Sequence, residues 1–109
     1  MNSIELVVYE NTAGSQPFST WFDDLDVHAA AKITAALQRM AAGNFSDAKS
    51  LGGGVMERRI DWGPGYRVYY GRDGERLVVL LAGGTKKRQQ RDIAEAQARW
   101  ADYKRRKGT

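Results

Sequence analysis

A chain of 109 residues is long enough to bury one core and too short for two, so a single domain over 1–109 is expected. A composition of 42% hydrophobic and 28% charged residues excludes a disordered chain, and the lack of cysteine excludes a disulfide framework, thiolate zinc sites and thiol catalysis. The net charge of +4 is uneven: before residue 51 there are three Lys/Arg against six Asp/Glu, and from there on fourteen against seven. A polyanionic partner suits that basic second part, with a solvated helix face and tail as the plainer reading.

In chain order, residues 4–9 are β-rich and predict a first strand, followed by a polar connection over 11–15. Phe18, Trp21, Phe22 and Leu25 then recur at helical spacing behind Ser15 and Pro17, predicting a short amphipathic helix capped near Ser15. Asp26 caps a second helix over 28–42 whose stripe is Ile33, Leu37 and Met40 and which stops at Gly43, so the two helices form a hairpin. His28, the one histidine, lies in that helix's first turn and is read as a surface or packing residue. Residues 44–54 read as a loop, and Gly52-Gly53-Gly54 lacks the Lys-Ser/Thr continuation of a phosphate-binding loop.

Three strands joined by tight turns follow, over 55–61, 66–71 and 76–82, with turns at 62–65 and 72–75. The last is apolar on both faces through Leu77-Val78-Val79-Leu80-Leu81, as a covered, central strand requires. Thr85 is placed as the cap of a final helix with an inward stripe of Ile93, Ala96, Trp100 and Tyr103 and a cationic end at 104–107, where the helix dipole favours positive charge. No apolar run approaches a bilayer-spanning length, and the first residues carry no basic segment leading into an apolar core, so a cytoplasmic setting is expected.

The stretch from Glu57 to Tyr70, with Gly63-Pro64-Gly65-Tyr66-Arg67-Val68-Tyr69-Tyr70 at its heart, and the junction Gly84-Thr85-Lys86-Lys87-Arg88-Gln89-Gln90-Arg91-Asp92-Ile93 resemble the signature of RelE/ParE-superfamily type II toxins, in the HigB-like addiction-module branch. The resemblance runs over nearly the whole chain. It implies an α+β, RelE-like fold: strand, helix hairpin, three antiparallel strands, C-terminal helix. It also implies a toxin that cuts mRNA on the ribosome without metal or other cofactor, held inactive by an antitoxin that often carries a helix-turn-helix. RelE-like members often have a tyrosine early in the last helix; Ile93 stands at that position here, which leaves proton transfer unassigned and phosphate binding intact. Two other readings share the fold: a ParE-like gyrase inhibitor, and an inactive RNA-binding or antitoxin-complex scaffold.

Strand alternation places Glu57, Arg59 and Asp61 on one face with Arg67 and Tyr69, and Met56, Ile60, Val68 and Tyr70 on the other with Arg58. With the helix hairpin on the apolar side, the first face is expected to be open, with Lys86, Lys87 and Arg88 arriving at the end of the central strand. Cleavage without metal needs a deprotonated ribose 2′-hydroxyl, a stabilised phosphate and a protonated leaving oxygen. Arg67 and Arg59 fit the second need, because guanidinium stays charged and offers phosphate a fork. Lys86 or Lys87, set among neighbouring cations, and Glu57 are the rival proton-transfer groups. Arg58, Arg88, Arg91 and Tyr69 are the expected RNA contacts. The competing reading of the same pattern is cross-strand ion pairing of the arginines with Glu57 and Asp61.

Overall fold

The computed structural model describes residues 3–108. Its elements run β1 (Glu5–Val8), α1 (Pro17–Asp23), α2 (Val27–Ala41), β2 (Ala48–Gly52), β3 (Val55–Ile60), β4 (Tyr66–Asp73), β5 (Leu77–Thr85), a 3₁₀ turn (Lys86–Arg88) and α3 (Gln89–Lys107). The five strands form one sheet in the order β1-β5-β4-β3-β2. Only β1 and β5 pair in parallel; the remaining neighbours are antiparallel. The expected α+β architecture is present, with one strand more than the sequence pattern announces.

That extra strand is β2, which occupies part of the segment read as a loop. Four of its five residues are exposed, and Ala-Lys-Ser-Leu-Gly carries neither alternation nor β-branched residues. Its pairing with Arg58, Glu57 and Met56 of β3 makes it a strand through backbone bonds, as an edge position allows, with Leu51 packing on the α3 side and Gln97 donating to the Leu51 and Gly52 carbonyls. Two helix starts also differ from expectation. Gln16, not Ser15, precedes α1, with Pro17 at its first position and no side-chain cap. Thr85 makes no capping bond, and Lys86–Arg88 form a 3₁₀ turn before α3 begins at Gln89. Asp26 does cap α2, its carboxylate accepting the His28 and Ala29 N–H groups at 2.9 Å each.

The sheet is covered on both faces, which narrows the expected open face to its end near the 62–65 turn. On one side Phe18, Ala29, Ile33 and Met40 of α1 and α2 pack on Val68, Tyr70, Val78 and Leu80. On the other, Ala96 and Trp100 of α3 pack on Val55, Tyr69, Val79 and Leu81, with Ile93 and Tyr103 alongside. α3 has a single apolar stripe, and this second face of the sheet is where it is buried. Trp100 lies flat against β4 only because Gly71 has no side chain: a Cβ there would stand 2.4 Å from the indole. In β5 the register slips opposite Tyr69 and Tyr70, so Leu81 and Ala82 both point toward α3, as a bulge permits. The bulge resets the alternation beyond it, turning Gly83 to Trp21 of α1 and Gly84 to Asp92 of α3. Among the described residues no helix is long and apolar enough to cross a membrane.

Candidate functional site

α3 covers the far part of its sheet face and leaves the end near the 62–65 turn uncovered. There Arg59 of β3 lies directly across from Arg67 of β4, and Arg67 in turn across from Gly84 of β5. Two arginines side by side repel unless something answers their charge. For Arg67 the answer is Glu57, two residues before Arg59: Arg67 Nε is 3.3 Å from Glu57 Oε2, with only 9% and 1% of the two residues exposed. Nε lies off the hydrogen-bond direction, so this is an ion pair without a linear bond. Gln89, at the start of α3, donates from Nε2 to the same Glu57 oxygen at 2.9 Å.

The rest of the neighbourhood comes from α3 and β4. The missing side chain at Gly84 is filled by the Asp92 carboxylate, whose Oδ2 would stand 2.1 Å from a Cβ there. Burial raises the Asp92 pKa, opposed by the nearby Arg88 cation. The Tyr69 hydroxyl, paired in register with Glu57, is sealed from solvent and has no hydrogen-bond partner. Burial first, then the negative Glu57 and Asp92, push its pKa upward, so at neutral pH it is a fixed O–H dipole.

Above this buried layer lies an open cleft of about 410 Å³. Arg59, Arg67 and Lys86 supply its cations, Asp47 and Asp61 its carboxylates, and residues 63–66 its end wall. Arg67, Arg59 and Lys86 thus meet as the sequence pattern predicts. Glu57 does not line the cleft; it holds Arg67 from beneath, the cross-strand ion pairing that the sequence pattern also allows. Lys87 and Arg88 are exposed on the 3₁₀ turn and do not line the cleft. Arg91, on the exposed side of α3, pairs with Glu95 at 3.4 Å.

Two expected RNA contacts lie away from this cleft. Tyr69 is fully buried beneath α3 and has no ring face open for a base. Arg58 points to the opposite face, is 4% exposed and donates from Nη1 to the Ser46 carbonyl at 2.6 Å, so it is no part of this cleft. Gln89 and Asp92 were not anticipated. Their spacing from Ala96 and Ile93, three or four residues along a helix, puts them on the inward stripe, which is the signal that could have found them.

Residues 20–101 match the family model described as Phage derived protein Gp49-like, a span that contains every residue lining the cleft. The chain is also similar to a Haemophilus influenzae protein carrying only the name "Uncharacterized protein", at 46% identity over 81 residues, which is 73% of this chain and 82% of that relative.

Proposed function

This chain belongs to the phage-derived Gp49-like family, and on that premise we propose that it is the toxin of a type II toxin–antitoxin pair, an endoribonuclease that cuts mRNA on the ribosome. The observation that carries the reading is the convergence of Arg59, Arg67 and Lys86 in one open cleft, over a buried carboxylate that fixes Arg67.

A phosphodiester seated there undergoes attack by its own ribose O2′ on phosphorus. The P–O5′ bond breaks, leaving a 2′,3′-cyclic phosphate and a 5′-hydroxyl. The added negative charge on the phosphoryl oxygens falls beside Arg67 and Arg59. Such preorganised cations stabilise charge as it develops, commonly by a factor of about a hundred to a thousand per donor. Because Glu57 and Gln89 already orient the Arg67 fork, little reorganisation is needed when the phosphate arrives. Lys86 is the cleft's ammonium and serves as proton donor to the departing O5′. Glu57 is tied to Arg67 and Gln89 and Asp92 does not line the cleft, so the 2′-hydroxyl proton passes to Asp47 or Asp61, the carboxylates that do. The cognate antitoxin covers the cleft with acidic side chains or blocks ribosome entry.

Inducible expression without an antitoxin, with transcript ends mapped and plasmid supercoiling followed together, tests the reading. Growth arrest with new cuts inside translated messages is the expected result. Arrest with intact messages and relaxed plasmid would replace it with gyrase inhibition, and unimpaired growth at verified expression would remove the toxin assignment.

A further inference from the structure

A second cleft lies on the other face of the same sheet end. Lys32, Ala35, Ala36 and Arg39 fall at 0, 3, 4 and 7 along α2 and line it together with Arg58, Arg59 and Trp62. Two small alanines between two cations, about 10 Å apart along the helix, leave a groove in place of a packed ridge. Its volume of about 260 Å³ is just below the roughly 300 Å³ at which pockets begin to enclose drug-sized ligands, which suits one nucleotide unit.

Arg58 is the unusual member. It is 4% exposed, its one acceptor is the Ser46 carbonyl, and its Nε has no partner. None of the ion pairs among the described residues includes it. A buried guanidinium without a counter-ion is costly, and a buried charge normally has one. The groove therefore holds a buried cation with no ion-pair partner among the described residues. Asp47 and Asp61 also line it, leaving four cations against two carboxylates.

Trp62 supplies the second half of the pattern. Its half-buried ring stacks on Tyr66 at 6.3 Å and 20°, with Lys32 Nζ 5.9 Å from the ring centroid. An aromatic face beside a line of cations is how proteins hold single-stranded nucleic acid, base on ring and phosphate on cation. The two clefts also share the wall Asp47, Arg59, Ile60 and Asp61. The β2 ladder ends opposite Arg58, with the Arg59 N–H still donating to the Asp47 carbonyl at 3.4 Å, so an extended strand running between the clefts passes around β3 at Ile60.

We propose that this α2 groove is a second RNA subsite, taking the nucleotide next to the scissile one with its phosphate on Lys32, Arg39 and Arg58 and its base on Trp62. The proposal rests on the ribonuclease reading for the first cleft, and its test separates the two. Anisotropy of a labelled 2′-O-methyl uridine octamer, which cannot be cleaved, reads binding alone. Lys32 and Arg39 are exposed, so Lys32→Gln/Arg39→Gln keeps the fold; Lys104→Gln/Arg105→Gln removes the same charge at the far end of α3. The first pair should lower the salt slope by about 1.4, two contacts at roughly 0.7 each, and the second should leave it unchanged. Trp62→Leu should weaken octamer binding at least about fivefold. Equal weakening by both charge pairs, or none by the first, overturns the subsite even if the first cleft cleaves RNA. Selective weakening upholds it as an RNA-binding groove even if cleavage proves independent of Arg67. Failure of the unaltered protein to bind the octamer overturns it as well.

Discussion

Replacing Arg67 by alanine separates what the buried ion pair does for folding from what the cation does for RNA. Glu57 is 1% exposed, and once Arg67 is gone its remaining side-chain partner is Gln89 at 2.9 Å. One amide N–H does not compensate a buried carboxylate, and breaking a buried pair by deleting one partner typically costs about 3–5 kcal/mol. For a domain of this size 3 kcal/mol corresponds to a fall in Tm of roughly 12–24 °C. Glu57→Gln in the same chain removes the stranded charge and keeps the contact with Gln89, so Glu57→Gln/Arg67→Ala should regain most of the loss. Urea unfolding of the two singles and the double at pH 7 measures this coupling directly. If Arg67→Ala costs under about 1 kcal/mol, or the double variant is no more stable than Arg67→Ala, the pair is not the buried, coupled unit described above. It follows that loss of activity in Arg67→Ala is not by itself evidence for catalysis.

Three further outcomes follow from the packing. Gly71→Ala puts a methyl 2.4 Å from the Trp100 ring and should cost about 1–3 kcal/mol by overpacking; wild-type stability in urea would mean that Trp100 does not seat on β4. Asp26→Ala removes the acceptor for the His28 and Ala29 N–H groups and should cost about 1 kcal/mol, read as a lower thermal midpoint by circular dichroism, whereas an unchanged midpoint would count against the cap. Asp102 accepts a 2.7 Å hydrogen bond from the Tyr9 hydroxyl, and that bond, with the Arg106 contact, holds its pKa below the ordinary value. A carboxyl depressed in the folded state stabilises above its unfolded pKa of about 3.9, and the effect is lost as pH falls through the lower folded value. Carboxyl ¹³C shifts should therefore show Asp102 titrating below 3.9, and a midpoint at or above that value would contradict the Tyr9 bond.

Much of the fold is legible in the residues because periodicity and burial agree. The alternation in β3 and β4, the stripe Ile93-Ala96-Trp100-Tyr103 and the Asp26 cap each report a local interaction that the structure repeats. β2 escapes because an edge strand with Lys and Ser on its surface is held by backbone bonds that leave no mark on side-chain pattern. The continuation of β5 through Gly83-Gly84 is hidden for a related reason. Glycines suggest a loop, yet here they accommodate Trp21 and Asp92 arriving from two helices. In the site, the meeting of Arg59, Arg67 and Lys86 follows from strand geometry and the hairpin turn. The burial of Glu57, Arg67 and Tyr69 depends on where α3 comes to rest, a tertiary choice that the helix's own stripe does not specify. The groove beside Arg58 belongs to the same class, since it arises from two alanines of α2 facing a strand distant in sequence.

The most direct measurement of the central claim is cleavage of a defined message in a translating extract by the wild-type chain and by Arg67→Lys. Lysine keeps a positive charge opposite Glu57 and so keeps the fold, but it cannot present the guanidinium fork to phosphate. Specific cuts by the wild type, slowed at least about tenfold in a folded Arg67→Lys protein, are the predicted result. Intact message with the wild type, or cuts at an equal rate with Arg67→Lys, would contradict the assignment of this cleft as a ribonuclease site.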